Sequence, residues 1–147
     1  MQPQAPGHRI IAHICNDRGR WGKGFVVALS RRWAEPEAAY RAWYKARAEN
    51  DFGLGAMQLV PVEPSIWVAN MVAQHGMTAG SAGPPIRYEA VRACLAKVAD
   101  MARERDASVH MPRIGCGLAG GKWERIEPII ADELSAKGIE VTVYDFG

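Results

Sequence analysis

The chain has 147 residues, which suits one domain, and 48% of them are apolar, enough for one ordinary globular core. The 18 basic and 16 acidic residues are scattered and leave a net charge of +2, which argues against nucleic-acid binding through charge. Cys15, Cys94 and Cys116 are far apart and fit no zinc or disulfide spacing, and no apolar window reaches the roughly 20 residues of a membrane span, so a cytoplasmic monomer without a metal is expected.

In chain order, apolar periodicity alternates between strand-like and helix-like segments, the pattern of an α/β domain spanning residues 1–147, with residues 1–7 a flexible or shortened N-terminus. Residues 8–15 (HRIIAHIC) read as a buried strand, and Phe25, Leu29 and Trp33 form one face of a helix over residues 22–33. Pro36 suits the first turn of a second helix carrying Tyr40, Trp43 and Tyr44. Two strand candidates, residues 56–62 and 66–73, flank a turn at Pro64. A loop by composition, residues 74–85, precedes a helix with Val91, Leu95, Val98 and Ala102 in line. A strand over residues 108–112, a glycine-rich run over 115–121, a helix with Ile126, Ile130 and Leu134, and a strand over 139–146 complete the chain. Pro128 predicts that this last helix starts at Glu124 or later.

The chemistry gathers in three segments. Pro112, Arg113, Ile114 and the run from Gly115 through Cys116, Gly117, Leu118, Ala119 and Gly120 lie between a strand and a helix. Glycines there let backbone N–H groups converge on a small anion that the helix N-terminus also favours. Gly115, Gly117 and Gly120 also satisfy G-x-G-x-x-G, but a dinucleotide fingerprint opens the first βαβ unit, whereas here one helix and one strand remain. The alternative is a tight structural turn.

The second segment, CNDRGRWGKGF over residues 15–25, again joins a strand to a helix, and two such loops at strand ends suit one diphosphate held between them. Asn16 and Asp17 can hydrogen-bond ribose hydroxyls, or serve as turn and cap residues. In the third segment, NMVAQH over residues 70–75, His75 stands on a loop near a strand end and is the candidate general base, with a surface histidine as the plain alternative. His8, His13 and His110 read as structural. Cys116 lacks a nearby histidine or acid and is not read as a nucleophile.

Two glycine loops in this order, PRIGCGL before Trp123 and a terminal VYDF resemble the macro domain family, in the branch of the terminal ADP-ribose protein glycohydrolase and a chromatin-remodeller macro module. The resemblance runs from Ile10 to Phe146. It implies a three-layer α/β/α sandwich with a mixed sheet that holds ADP-ribose in a crest cleft, with ADP-ribosylated proteins as partners and no cofactor. The ligand set it implies comprises Arg113, Ile114, Gly115, Cys116, Gly117, Leu118, Ala119 and Gly120 on one side. Asn16, Asp17, Trp21, Gly22, Gly24 and Phe25 form the opposing loop, joined by Gln74 and Gly76, with Phe146 against the adenine.

Two departures bear on chemistry. The family's glycohydrolase uses a lysine adduct and an aspartate directly after GCGL; that position is Ala119, and no lysine occurs between Lys45 and Lys97, which excludes that route. The family's N-terminal Gly-Asp, whose carboxylate binds the adenine amine, also has no match in residues 1–7. The expectation is hydrolysis of the ester between ADP-ribose and Glu or Asp side chains by activated water, with Asp17, His75 and Asn16 at the reacting end. The alternatives are a reader that binds ADP-ribose without turnover, an ADP-ribose 1″-phosphate phosphatase and, from the weak fingerprint, an NAD-dependent oxidoreductase.

Overall fold

The computed structural model describes residues 7–76, 84–117 and 119–145. Five strands form one sheet: β1 (His8–Asn16), β2 (Met57–Glu63), β3 (Ile66–Gln74), β4 (Ala107–Pro112) and β5 (Val141–Tyr144). Their order is β2-β3-β1-β4-β5, with β2 antiparallel to β3 and the other pairs parallel, so the sheet is mixed as expected.

Side-chain alternation along β1 decides which layer each residue serves. Ile10 and Ala12 join Met71, Val109 and Met111 in a core under α3 (Tyr88–Arg105) and α4 (Trp123–Glu133). Cys15 faces the other way and packs with Val68 and Val72 under α1 (Phe25–Arg32) and α2 (Glu35–Lys45). The result is the three-layer α/β/α sandwich, with buried cores on both faces of one sheet.

Several boundaries differ from the sequence reading. The first helix begins at Phe25 because Gly22 and Gly24 sit at φ 81° and 83°, a region closed to regular helix. The last begins at Trp123, with Pro128 inside it. Proline there removes one N–H directed at the carbonyl of Glu124, which lies in the exposed first turn and has water as its alternative partner. The final strand is shorter than residues 139–146, ending at Tyr144.

Candidate functional site

The site forms where β1 and β3 end side by side. Their parallel pairing carries a register shift between Cys15 and Asn16, and Asn16 then lies opposite Gln74. The Asp17 amide donates to the Gln74 carbonyl at 2.9 Å, so the residue after each strand meets the other.

Asp17 and His75 meet there. His75 Nδ1 lies 2.6 Å from Asp17 Oδ2, and the Gly76 amide donates to Asp17 Oδ1 at 2.8 Å. A bond to a carboxylate requires the proton on Nδ1, which in the neutral ring leaves His75 Nε2 as the lone-pair acceptor. The Asp17 side chain is 16% exposed and the His75 side chain 48%, so the carboxylate is fixed beneath a ring that reaches solvent. Arg18 Nε stands 3.6 Å from Asp17 Oδ1.

Asn16 is buried and its side chain shapes the loop. Its Oδ1 accepts from the Arg18 amide at 2.9 Å, the Arg20 amide at 3.3 Å and the Tyr40 hydroxyl at 3.1 Å. Its Nδ2 donates to the Arg20 carbonyl at 2.6 Å. This is the turn geometry weighed for it in the sequence, and it leaves one amide hydrogen for other use.

Sharing Gln74 with this junction, but lined by neither Asn16, Asp17 nor His75, is a cleft of ≈ 240 Å³ whose lining includes His13, Gly24, Phe25, Gln74, Arg113 and Gly115. The two glycine loops thus form opposite walls of one cavity. One wall is the start of α1, where no side chain caps the helix and the Val27 amide donates to the Gly24 carbonyl at 3.0 Å, so the positive end of the helix dipole adjoins the cleft. The other is the loop after β4. It is closed on itself by Gly121 N–H to Gly115 O at 2.6 Å and Gly120 N–H to Gly117 O at 3.0 Å. A Cβ at Gly121 would come within 2.4 Å of the Gly115 carbonyl oxygen, so the closure requires glycine. Among the described residues the amides of Gly115, Gly117 and Ala119 have no partner within the protein, and all three residues line the cleft.

Of the other residues singled out in the sequence, Ile114 and Ala119 also line the cleft. Trp21 is buried, its Nε1 donating to Ser30 Oγ at 2.8 Å and to the Val26 carbonyl, and with Gly22 it lines a shallow basin outside the loop. Gly76 serves Asp17, and Gly120 serves the closure of its loop. The Cys116 thiol lies 3.5 Å from the Ile114 carbonyl, and burial pushes its pKa up against the opposing charge of Arg113. That direction disfavours a thiolate. Leu118 and Phe146 lie outside the described residues.

His13, Ile14, Lys23, Val26 and Pro112 line the cleft without having been singled out for it. His13 is buried, T-shaped against Trp21 at 5.4 Å, and bonded through Nε2 to Asn70 Oδ1 at 2.5 Å. Burial lowers its pKa to about 4, so the ring is neutral, and Nδ1 has no partner among the described residues. Reading it as structural captured the packing. The alternation of β1 gave no sign that this face also opens on the cleft.

The macro domain family model matches residues 12–130. The chain belongs to the macro domain family. Among solved structures, a macrodomain protein from Streptomyces coelicolor is 60% identical with a TM-score of 0.87, over 99% of this chain and 93% of that one. The chromodomain-helicase-DNA-binding protein 1-like of Mus musculus is 34% identical over 93% of this chain, which spans 16% of that protein's length. An ADP-ribose 1″-phosphate phosphatase of Meyerozyma guilliermondii is 28% identical, with 82% of each chain covered. In this macro domain, both the parallel β1–β3 junction and the glycine cradle fall inside the residues that the family model matches.

Proposed function

We propose that this macro domain binds ADP-ribose and hydrolyses the ester joining its distal ribose to a Glu or Asp side chain of a protein. The observation that carries the reading is the hydrogen-bonded Asp17–His75 pair at the strand ends, reached through Gln74 from a cleft walled by unpartnered backbone amides. The amides of Gly115, Gly117 and Ala119 and the start of α1 supply positive dipole ends on two sides of a diphosphate.

With the diphosphate so held, the distal ribose extends toward Asp17 and His75. His75 Nε2 takes a proton from water, the water oxygen bonds to C1″, and the C1″–O bond to the acidic side chain breaks. The target leaves as a carboxylate, which needs no general acid. Asp17 holds the ring tautomer that frees Nε2 and stabilises the imidazolium that forms, while Asn16 keeps the 17–20 turn, and so Asp17, in place.

A second reading, attack on the phosphate of ADP-ribose 1″-phosphate, is favoured by the likeness to the yeast phosphatase. One experiment separates the readings: incubation with protein mono-ADP-ribosylated on glutamate and, separately, with ADP-ribose 1″-phosphate. The expected outcome is release of ADP-ribose from the first, lowered about 100- to 10,000-fold in kcat by His75→Gln. Affinity of that variant for free ADP-ribose should stay within about threefold of the wild type. Binding without release would make the protein a reader, and phosphate release alone would favour the second reading.

A further inference from the structure

The loop between β1 and α1 carries a charge that neither the cleft nor the strand-end pair uses. Residues 17–24 (DRGRWGKG) hold three cations, Arg18, Arg20 and Lys23, against one carboxylate, a surplus equal to the net charge of +2 of the whole chain. That carboxylate, Asp17, is 16% exposed and committed to His75 and the Gly76 amide, so the cations are what the loop presents to solvent. Arg18 and Arg20 are exposed, and the Arg20 side chain makes no hydrogen bond or ion pair among the described residues. Residues 77–83, which follow His75 and Gly76, contain no acid.

A lone exposed arginine means little, but these two stand on backbone that is held from two sides. Asn16 accepts from the amides of both and donates to the Arg20 carbonyl. Between them Gly19 lies so close on the Tyr44 ring of α2 that a Cβ there would run into it, and Arg41 Nη1 lies 3.5 Å from the Gly19 carbonyl oxygen. The Arg47 guanidinium stands 4.0 Å from the centroid of the same Tyr44 ring and adds a third cation to the neighbourhood. Glu37, the acid one turn before Arg41 on α2, is engaged by Arg41 Nε at 2.9 Å. A partner that meets charges on a fixed loop does not have to order the loop as well.

We infer that Arg18 and Arg20 form a docking rim for an acidic stretch of polypeptide flanking the modified Glu or Asp. The inference rests on the esterase reading of the strand-end pair for the place where the target emerges. Arg18 Nε is 3.6 Å from the carboxylate that holds His75, so a chain tethered at C1″ by an acidic side chain leaves the site past Arg18. A peptide fits this rim better than a nucleic acid does: the cations are few, the one aromatic ring of the loop, Trp21, is buried and offers no face to a base, and the chain as a whole is near neutral. Exposed charges of this kind raise the local concentration of an oppositely charged partner and choose among targets more than they add raw affinity. The rim therefore favours a modified acid that stands among further acids.

Two peptides test this, each carrying one ADP-ribosylated glutamate, flanked by aspartates in the first and by asparagines in the second. His75→Gln slows cleavage, so the ester persists while binding is measured. That variant should bind the aspartate peptide about tenfold more tightly at low salt, the scale of two exposed charge pairs, and the ratio should fall below about threefold at about 0.5 M salt. Adding Arg18→Gln and Arg20→Gln should bring the two affinities within about twofold of each other, with free ADP-ribose bound within about threefold as before. Equal binding of the two peptides at low salt, a preference that survives loss of both arginines, or arginine-dependent binding of a duplex DNA oligonucleotide tighter than that of the aspartate peptide overturns the inference. Turnover is read separately on the wild type: the same preference in binding with no release of ADP-ribose refutes the esterase and leaves the rim standing, and binding of neither peptide overturns both. The comparison of the two peptides on His75→Gln needs neither arginine variant, so it decides the matter even if those do not fold.

Discussion

The two faces of the sheet are built from different materials. Under α3 and α4 the core is aliphatic, with Ile10, Leu95, Val98, Met111, Ile126 and Leu134 among its members, and among the described residues none of the buried His and Asn side chains belongs to it. Under α1 and α2 the cluster is aromatic, with Trp21, Tyr40 and Trp43, and the buried polar residues His13, Asn16 and Asn70 lie on that side. Hydrogen bonds there run from Asn70 to Pro36 O at 3.1 Å and to Gln58 Oε1 at 3.1 Å, and from Tyr40 to Asn16. Dispersion and burial tolerate small shifts, whereas hydrogen bonds fix position to a few tenths of an ångström. The face that anchors Asn16 uses the interaction that fixes position, while the cleft also takes Ile114 and Ala119 from the aliphatic core. The opposite face supplies stability.

That division predicts that the two faces fail differently when cut. Leu95→Ala, at a fully buried position of α3, removes transfer energy and leaves a cavity, and should lower unfolding free energy by about 2–5 kcal/mol. Affinity for ADP-ribose at a temperature where the variant remains folded should be unchanged, because Leu95 itself lines neither the cleft nor the strand-end junction. Denaturant titration beside calorimetry checks both parts, and a comparable loss of binding would erase the distinction between the faces.

The aromatic face should instead show its character in pH. His13 is neutral in the folded protein because burial holds its pKa near 4 against an ordinary value of 6.5. Between those values the unfolded chain carries a proton there that the folded chain refuses, so stability falls as pH drops from 6.5 to about 4 and is flat in this term outside that window. The full effect is on the order of 3 kcal/mol. His13→Gln should flatten this part of the stability profile, measured by urea unfolding at a series of pH values; an unaltered slope would mean that His13 is not the group responsible.

The same contrast explains what was legible in the sequence. The aliphatic face announces itself through the i, i+4 line of Val91, Leu95, Val98 and Ala102, and the α3 helix follows it. The glycine loops were legible too, since strand-to-helix junctions rich in glycine have few other uses. The meeting of Asp17 with His75 was not, because the two stand 58 positions apart and come together only through the parallel β1–β3 register. Each could be proposed separately from its place at a strand end, but not as a pair. Asn16 shows the converse limit: a buried turn residue and a ligand residue share one sequence signature, and its four hydrogen bonds to the loop and to Tyr40 appear only in three dimensions.

Tyr40→Phe gives the smallest and sharpest test of the division. The hydroxyl donates to the Asn16 carbonyl at 2.6 Å and reaches Asn16 Oδ1 at 3.1 Å, while the ring is buried among Trp21 and Phe52. Removing one oxygen leaves the packing intact and costs about 1 kcal/mol, less than any cavity in the aliphatic core. Its functional effect should nevertheless exceed that of Leu95→Ala. Asn16 would lose one of the contacts that fix the 17–20 turn, and Asp17 would lose precision against His75. A fall in kcat on glutamate-linked substrate with little change in affinity for free ADP-ribose is therefore expected, since Tyr40 meets the first loop at Asn16 and Trp21 and not at Gly24 and Phe25, which line the cleft. Equal loss of kcat in Leu95→Ala and Tyr40→Phe would show that turnover follows global stability and not the placement of the strand-end pair.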